Sequence, residues 1–211
     1  MAAGAKIDVS GKGFEGVLSA TSSSLAGRGP GGGTAYGAGS HGGFGGWGWG
    51  ATSAGGYNAL PYDDAADPAL PGSSGSSANK YGTSGAGGGV VRVEATGRVT
   101  VDGAIAADAP MVTTLQSAAG AGGAVSISCS AVAGTGRISA DGGSSYLGAN
   151  LRGAPGGGGR IALRYDAAVQ RADEAADLTV SAAPGRMGLN SAAGLCPATE
   201  QDAFYANCTP A

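Results

Sequence analysis

The sequence predicts an all-β fold: a right-handed parallel β-helix or solenoid of a few rungs, interrupted by a long glycine-rich aromatic insertion. Three observations point there. Of 211 residues, 44 are glycine, about one in five against a usual share of about 7%. Leu, Ile, Val and Phe together number 31, too few for wide helices packed on a sheet, because folding entropy has to be offset by buried apolar area. Finally, segments with apolar residues at every second position recur at intervals of 34 and 36 residues, a spacing at which stacked repeats are found.

The rungs are read as two arms each. Gly88-Gly-Val-Val-Arg-Val-Glu94, Gly122-Gly-Ala-Val-Ser-Ile-Ser128 and Gly158-Gly-Arg-Ile-Ala-Leu-Arg164 form the first arms. Lys6-Ile-Asp-Val-Ser-Gly11, Gly97-Arg-Val-Thr-Val-Asp-Gly103, Gly136-Arg-Ile-Ser-Ala-Asp-Gly142 and a degenerate Asp177-Leu-Thr-Val-Ser181 form the second. Stacked in register, they predict inward columns Val91/Val125/Ile161, Val93/Ile127/Leu163, Ile7/Val99/Ile138/Leu178 and Val9/Val101/Ala140/Val180. Each rung then buries about four sizeable side chains, and stacking at about 4.8 Å makes one thin continuous core. Glycines beside the strands are expected to supply corners with positive φ. Helical periodicity is confined to Ala167–Ala176.

In domain terms, residues 1–185 are the solenoid and 186–211 a C-terminal tail. Residues 14–86 are the insertion, which either caps the solenoid or joins it. This stretch holds Trp47, Trp49, Tyr57 and His41. Either its aromatics seal an end or flank as glycine-rich or polyproline-like arms, or Trp47 and Trp49 offer a platform for a sugar ring. His41, between Ser40 and Gly42, is read as a loop histidine bonded to the backbone.

Twelve basic and fifteen acidic residues leave a net charge of −3, which gives no clustered cation for nucleic acid or an anionic membrane. No apolar run approaches the ~18 residues that span a bilayer. Met1-Ala-Ala-Gly-Ala-Lys6 leads into no apolar signal-peptide stretch and is read as the start of an excised domain, uninformative about compartment. Cys129 falls on an inward position beside Ala95 and Tyr165 and is expected to be a buried small hydrophobe. That leaves Cys196 and Cys208 as a candidate disulfide in an oxidising compartment. Asn207-Cys208-Thr209 also matches a glycosylation acceptor.

Motifs of catalysis are sparse. Gly27-Arg-Gly-Pro-Gly-Gly32 matches a dinucleotide-binding pattern, but at this glycine content the match is expected by chance and it lacks the strand and helix context. Asp63, Asp64 and Asp67 put three carboxylates within five residues, a candidate Ca²⁺ cluster without EF-hand spacing; otherwise they form a solvated turn. The outward columns Lys6/Arg98/Arg137/Asp177, Asp8/Thr100/Ser139/Thr179 and Ser10/Asp102/Asp141/Ser181 either offer Arg98, Asp102, Arg137 and Asp141 to a glycan or pair among themselves as a solvated sheet face.

The runs 87–93, 97–103, 136–143 and 156–165, with Gly-Ser-His-Gly-Gly-Phe-Gly-Gly at 39–46, resemble the glycine-rich repeat domains of large secreted or surface proteins of bacteria, plants and algae. The likeness covers residues 5 to 182 and implies a β-helical extracellular or cell-surface module. The expected function is non-catalytic: a structural or adhesive part of a surface protein or fibre, partnered by itself, by other surface-protein domains or by glycans, with no cofactor beyond the candidate Ca²⁺. The alternative is a polysaccharide-binding or polysaccharide-cleaving β-helix using Trp47 and Trp49, with Asp63, Asp64, Asp102 or Asp141 as acids.

Overall fold

The computed structural model describes residues 1–19, 25–47, 59–77, 82–114, 116–147, 153–172 and 176–189. The fold is β-rich, built of short strands in parallel sheets with almost no helix. In chain order the strands are β1 Lys6–Asp8, β2 Val90–Glu94, β3 Val99–Thr100, β4 Ala104–Ala106, β5 Ala124–Ser128, β6 Val132–Ala133, β7 Arg137–Ser139, β8 Ser145–Leu147, β9 Arg160–Arg164, β10 Thr179–Ser181 and β11 Met187–Leu189. Among the described residues one helix, α1 Ala167–Ala172, follows β9. The Asp166 carboxylate caps it by accepting the Ala168 N–H at 2.8 Å, and the Gln170 side chain pins it to Val132 through the main-chain N–H and C=O.

The sheet β2-β5-β9 follows the alternation of its sequence. Val91 pairs with Val125 and Ile161, and Val93 with Ile127 and Leu163. One face of this sheet enters the core of Val91, Val101, Ile105, Ala107, Val125, Ile127, Ile138 and Ala140. A register slip of one residue would turn every one of these side chains to the other face. Cys129 lies half-buried against this core, and burial pushes its thiol up.

The second arms pair differently from the sequence-based columns. The sheet β1-β4-β7-β10 stacks Ile7, Ile105, Ile138 and Val180, whereas Val99 pairs with Val132 in the separate two-stranded sheet β3-β6. Connection length explains the difference. Val99 and Val132 lie eight and seven residues after Val91 and Val125, while Ile105 and Ile138 lie fourteen and thirteen after them. Gly103-Ala-Ile-Ala-Ala-Asp108, not the Gly97 segment, is thus the counterpart of Gly136-Arg-Ile-Ser-Ala-Asp141. In consequence Lys6 and Arg137 align with Ala104 and Thr179, not with Arg98 and Asp177. Likewise Asp8 and Ser139 align with Ala106 and Ser181, and Asp108 takes the position expected for Asp102.

A second architecture lies beside the sheets. Segments 72–77, 84–89, 118–123 and 153–159, with the stretches of 13–17 and 25–46 that lie between turns, run outside any strand and bond one another with a period of three. The N–H groups of Gly72 and Gly75 reach the carbonyls of Gly88 and Gly85, and those of Ser74 and Ser77 reach Arg28 and Leu25. Ala118 and Ala121 donate to Ser76 and Ser73, and Ala119 and Gly122 to Ala154 and Gly157. Residues three apart therefore share a neighbour, while consecutive residues turn to different ones. That is the periodicity of a polyproline-type helix, which has three residues per turn and no internal hydrogen bonds.

Glycine is required here by close approach. A Cβ on Gly153, Gly156 or Gly159 would lie 2.2, 1.8 or 2.1 Å from the carbonyl oxygen of Ser117, Gly120 or Gly123. Positive φ occurs among the described glycines only at Gly4, Gly11, Gly29 and Gly134, so corner-making is a minor use of glycine in this chain.

Candidate functional site

Two polar assemblies collect the candidate carboxylates other than Asp102. The first is a strap, residues 59–71, lying over the outer face of β2-β5-β9. Alternation turns Arg92, Ser126 and Arg164 away from the core, and the strap engages all three. Asp67 accepts from Arg92 at 2.9 Å and Arg164 at 2.8 Å. Arg164 also donates to the Ala66 carbonyl and Arg160 to that of Tyr62, while Pro68 is fully buried. The guanidinium of Arg164, then that of Arg92, holds the Asp67 carboxyl below its ordinary value.

Beneath the strap sits a buried cluster. His41 is 0% exposed, with Nδ1 2.8 Å from the Gly122 carbonyl oxygen and Nε2 3.2 Å from Asp63 Oδ2. The Tyr62 ring leans on the imidazole at a centroid distance of 4.8 Å. Its hydroxyl donates to the Pro71 carbonyl and accepts from Ser73 Oγ at 2.9 Å. Burial, with the neighbouring Asp63 charge, pushes the Tyr62 phenol up to about 12. Asp63 has φ +73° and accepts the N–H groups of Asp64, Ala69 and Leu70. Burial works against its charge, but the donors at Leu70, Asp64, His41 and Ala69 outweigh it and keep the carboxyl below its ordinary value.

Asp63, Asp64 and Asp67 are thus drawn apart by different donors: Asp63 by the buried cluster, Asp64 by the N–H of Ala66, and Asp67 by two arginines. Among the described residues no three metal-ligating side chains converge.

The second assembly is an aspartate ladder between neighbouring strands. Asp108 accepts from Ser139 Oγ at 2.9 Å and from the Asp141 N–H at 2.7 Å. One strand on, Asp141 accepts from Ser181 Oγ at 2.5 Å and from the Ala183 N–H at 2.8 Å. Arg137 closes the unit by donating to the other Asp141 oxygen at 2.8 Å. Of the glycan candidates, the structure therefore joins Arg137 to Asp141. Asp102 accepts instead from the Thr135 N–H at 3.2 Å, and Arg98 immediately precedes β3, outside the Arg137 column.

Trp47 is 42% exposed, close in sequence to Phe44 at 60%. It follows Gly46, whose N–H bonds the Pro155 carbonyl. Trp49, Tyr57, Cys196, Asn207 and Cys208 lie outside the described residues. Sequence reasoning missed Asp108, although the shared spacing from Gly103 and Gly136 to their aspartates carries the signal. It also missed the His41–Asp63 pairing, which has no local signature.

Comparisons with protein-family models, with curated proteins and with solved structures find no match to this chain.

Proposed function

We propose that this chain is a non-catalytic structural or adhesive module of a larger extracellular or cell-surface protein or fibre, built as a short parallel β-solenoid. The solenoid reading is supported by the return of the first arm to the same sheet at Val91, Val125 and Ile161 and by the matching return at Ile105 and Ile138. The observation that carries the functional reading is the use made of the polar side chains. Asp63, Asp67, Asp108, Asp141, Arg92, Arg137, Arg160 and Arg164 all bond other parts of the chain, the arrangement of a rigid scaffold. The terminal strands of the four-stranded sheet suit a fibre or tandem array: Ile7 and Val180 are 41% and 47% exposed, and an uncovered strand edge favours association with another chain. The resemblance to glycine-rich repeat domains of surface proteins supports the location.

Sedimentation at micromolar concentration tests this reading. We expect self-association that is lost when Ile7 and Val180 are replaced by lysine; a monomer at all concentrations, with no binding to other surface-protein domains, overturns it. The exposed Trp47 favours a second reading, a polysaccharide-binding or polysaccharide-cleaving protein. A glycan array joined to a reducing-end assay on acidic polysaccharides separates the two: absence of both binding and cleavage removes the second. Intact mass of secreted protein, with and without reduction and glycosidase, tests the Cys196–Cys208 bond and a glycan on Asn207.

A further inference from the structure

The two ends of the sheet β1-β4-β7-β10 are finished differently. Just past β1, β4 and β7, the N–H groups of Gly11, Ala109 and Gly142 each reach the following turn of chain, at the carbonyls of Asp108, Asp141 and Ala183. Val180 of β10 stands in register with Ile138, Ile105 and Ile7, so the fourth member of that donor series is Pro184, which has no N–H. The place of the acceptors Asp108 and Asp141 is likewise taken there by Ala183. Beside them the Gln170 side-chain amide occupies the N–H and C=O of Val132 in β6. A proline and a covered edge are devices that stop further pairing, and they blunt the β10 end.

The β1 end is of another kind. Lys6, Ile7 and Asp8 are all exposed, and among the described residues no strand pairs with their outer edge. On the inner edge the Ala5 carbonyl accepts from Ala104 and the Val9 N–H donates to Ala106. Alternation therefore turns the N–H and C=O of Lys6 and Asp8 outward, away from β4. The Ser10 N–H is taken by Asp8 Oδ1 at 3.0 Å, which confines the open edge to β1. Its charges are self-complementary about Ile7: a copy turned end for end sets each lysine opposite an aspartate.

We propose that β1 is an interface for a second copy of this chain, the two strands pairing antiparallel about a two-fold axis at Ile7. The pair presupposes the self-association proposed above and fixes its edge, orientation and stoichiometry. Lys6 exchanges N–H···O=C bonds with Asp8 of the second copy, and Asp8 with its Lys6. The two Ile7 residues form the close, non-hydrogen-bonded pair between them, on the face of Ile105 and Ile138, and cover a side chain that is 41% exposed in one copy. Opposite charges directly across an antiparallel pair are favourable and like charges unfavourable. A head-to-tail contact in register would instead set Lys6 and Asp8 against Thr179 and Ser181, and the Ser181 hydroxyl already donates to Asp141. A two-fold contact closes on itself, so growth stops at two.

Sedimentation of the whole chain and of two charge variants tests the pair. We expect a monomer–dimer equilibrium with no larger species. Lys6→Asp and Asp8→Lys each place like charges across the interface and should weaken self-association at least about tenfold. Mixed together, the two variants should form a one-to-one dimer, because each offers the other the opposite sign at both positions. Val180→Lys should leave the natural dimer intact. A mixture that stays monomeric overturns the proposal. Growth beyond two, or loss of association in Val180→Lys, also overturns it while leaving self-association standing. A natural chain that is monomeric at all concentrations overturns the pair, and the surface-module reading then turns on binding to other surface-protein domains. If a charge variant fails to fold by circular dichroism, Ile7→Lys compared with Val180→Lys decides: dimer loss in the first alone supports the pair, and any other result overturns it.

Discussion

The sheets and the glycine bundle solve the same problem in opposite ways. Both must satisfy main-chain N–H and C=O groups away from water. The sheets do so with a period of two, which sends alternate side chains inward, and Val125, Ile127 and Ile138 become fully buried. Removal of their apolar surface from water stabilises that half. The bundle bonds with a period of three to several neighbours at once, and its chains approach until no Cβ fits between them. Its interior is main chain, with the small side chains of Ser40, Ser73, Ser74, Ser76, Ala118, Ala119 and Ala121 filling what remains. Several of these serines also cap main-chain groups, as Ser74 Oγ does for the Arg28 N–H at 2.7 Å. A chain poor in large apolar residues can thus fold if backbone packing replaces side-chain packing in half of it.

Substitution in each region sharpens the contrast. The largest expected effect is from Ile127→Asp, which puts an unpaired charge into the sheet core and should cost more than about 4 kcal/mol; a folded variant by circular dichroism and calorimetry would show that the column is not core. Next is Gly156→Ala, a change of one methyl group. Its Cβ would lie 1.8 Å from the Gly120 oxygen, main chain against main chain, and we expect a loss of about 3 kcal/mol or more in denaturant unfolding. Gly97→Ala, where nothing lies within 4 Å, is its control and should change stability by less than about 0.5 kcal/mol. Equal effects at the two glycines would mean that the bundle is not close-packed.

Smaller effects are expected at the polar assemblies. Asp108→Ala leaves the buried Ser139 hydroxyl and the Asp141 N–H without their acceptor, at a cost of about 1–3 kcal/mol by chemical denaturation. Effects of similar size or less come from pH. Asp63 has its folded-state value depressed below 3.8, so the stability it supplies is complete above that pH and is lost as the pH falls through the folded value. Tyr62 acts at the other end. Its phenol is raised from 10.0 to about 12, the folded chain keeps a proton that the unfolded chain gives up, and stability falls as the pH rises through that interval. Thermal melts across both ranges should show the two losses, and Tyr62→Phe should abolish the alkaline one.

Much of the sheet was legible because strand alternation is a local property. Val91, Val93, Val125, Ile127, Ile161 and Leu163 declare their face within five residues, and one register alone sets all of them in or against the core. The second arms were less legible. Gly97-Arg-Val and Gly136-Arg-Ile look alike, and the likeness concealed Gly103-Ala-Ile, which has the matching distance from the first arm. The acidic triplet at 63, 64 and 67 reads as one cluster in sequence, yet its members face a buried histidine, a local turn and two arginines of the sheet.

By itself, then, the sequence determined the β-rich class, the three-stranded sheet with its register, the short helix after Asp166 and the inward place of Cys129, because each depends on neighbours within one strand or turn. Only the tertiary structure decided which second arms pair, that glycines recur every third residue for close approach, and that His41 meets Asp63 under the strap. These depend on connection lengths and on contacts between segments far apart in the chain. A glycine carries no side chain to announce its neighbours, so the packing that requires it becomes visible only when those neighbours are in place.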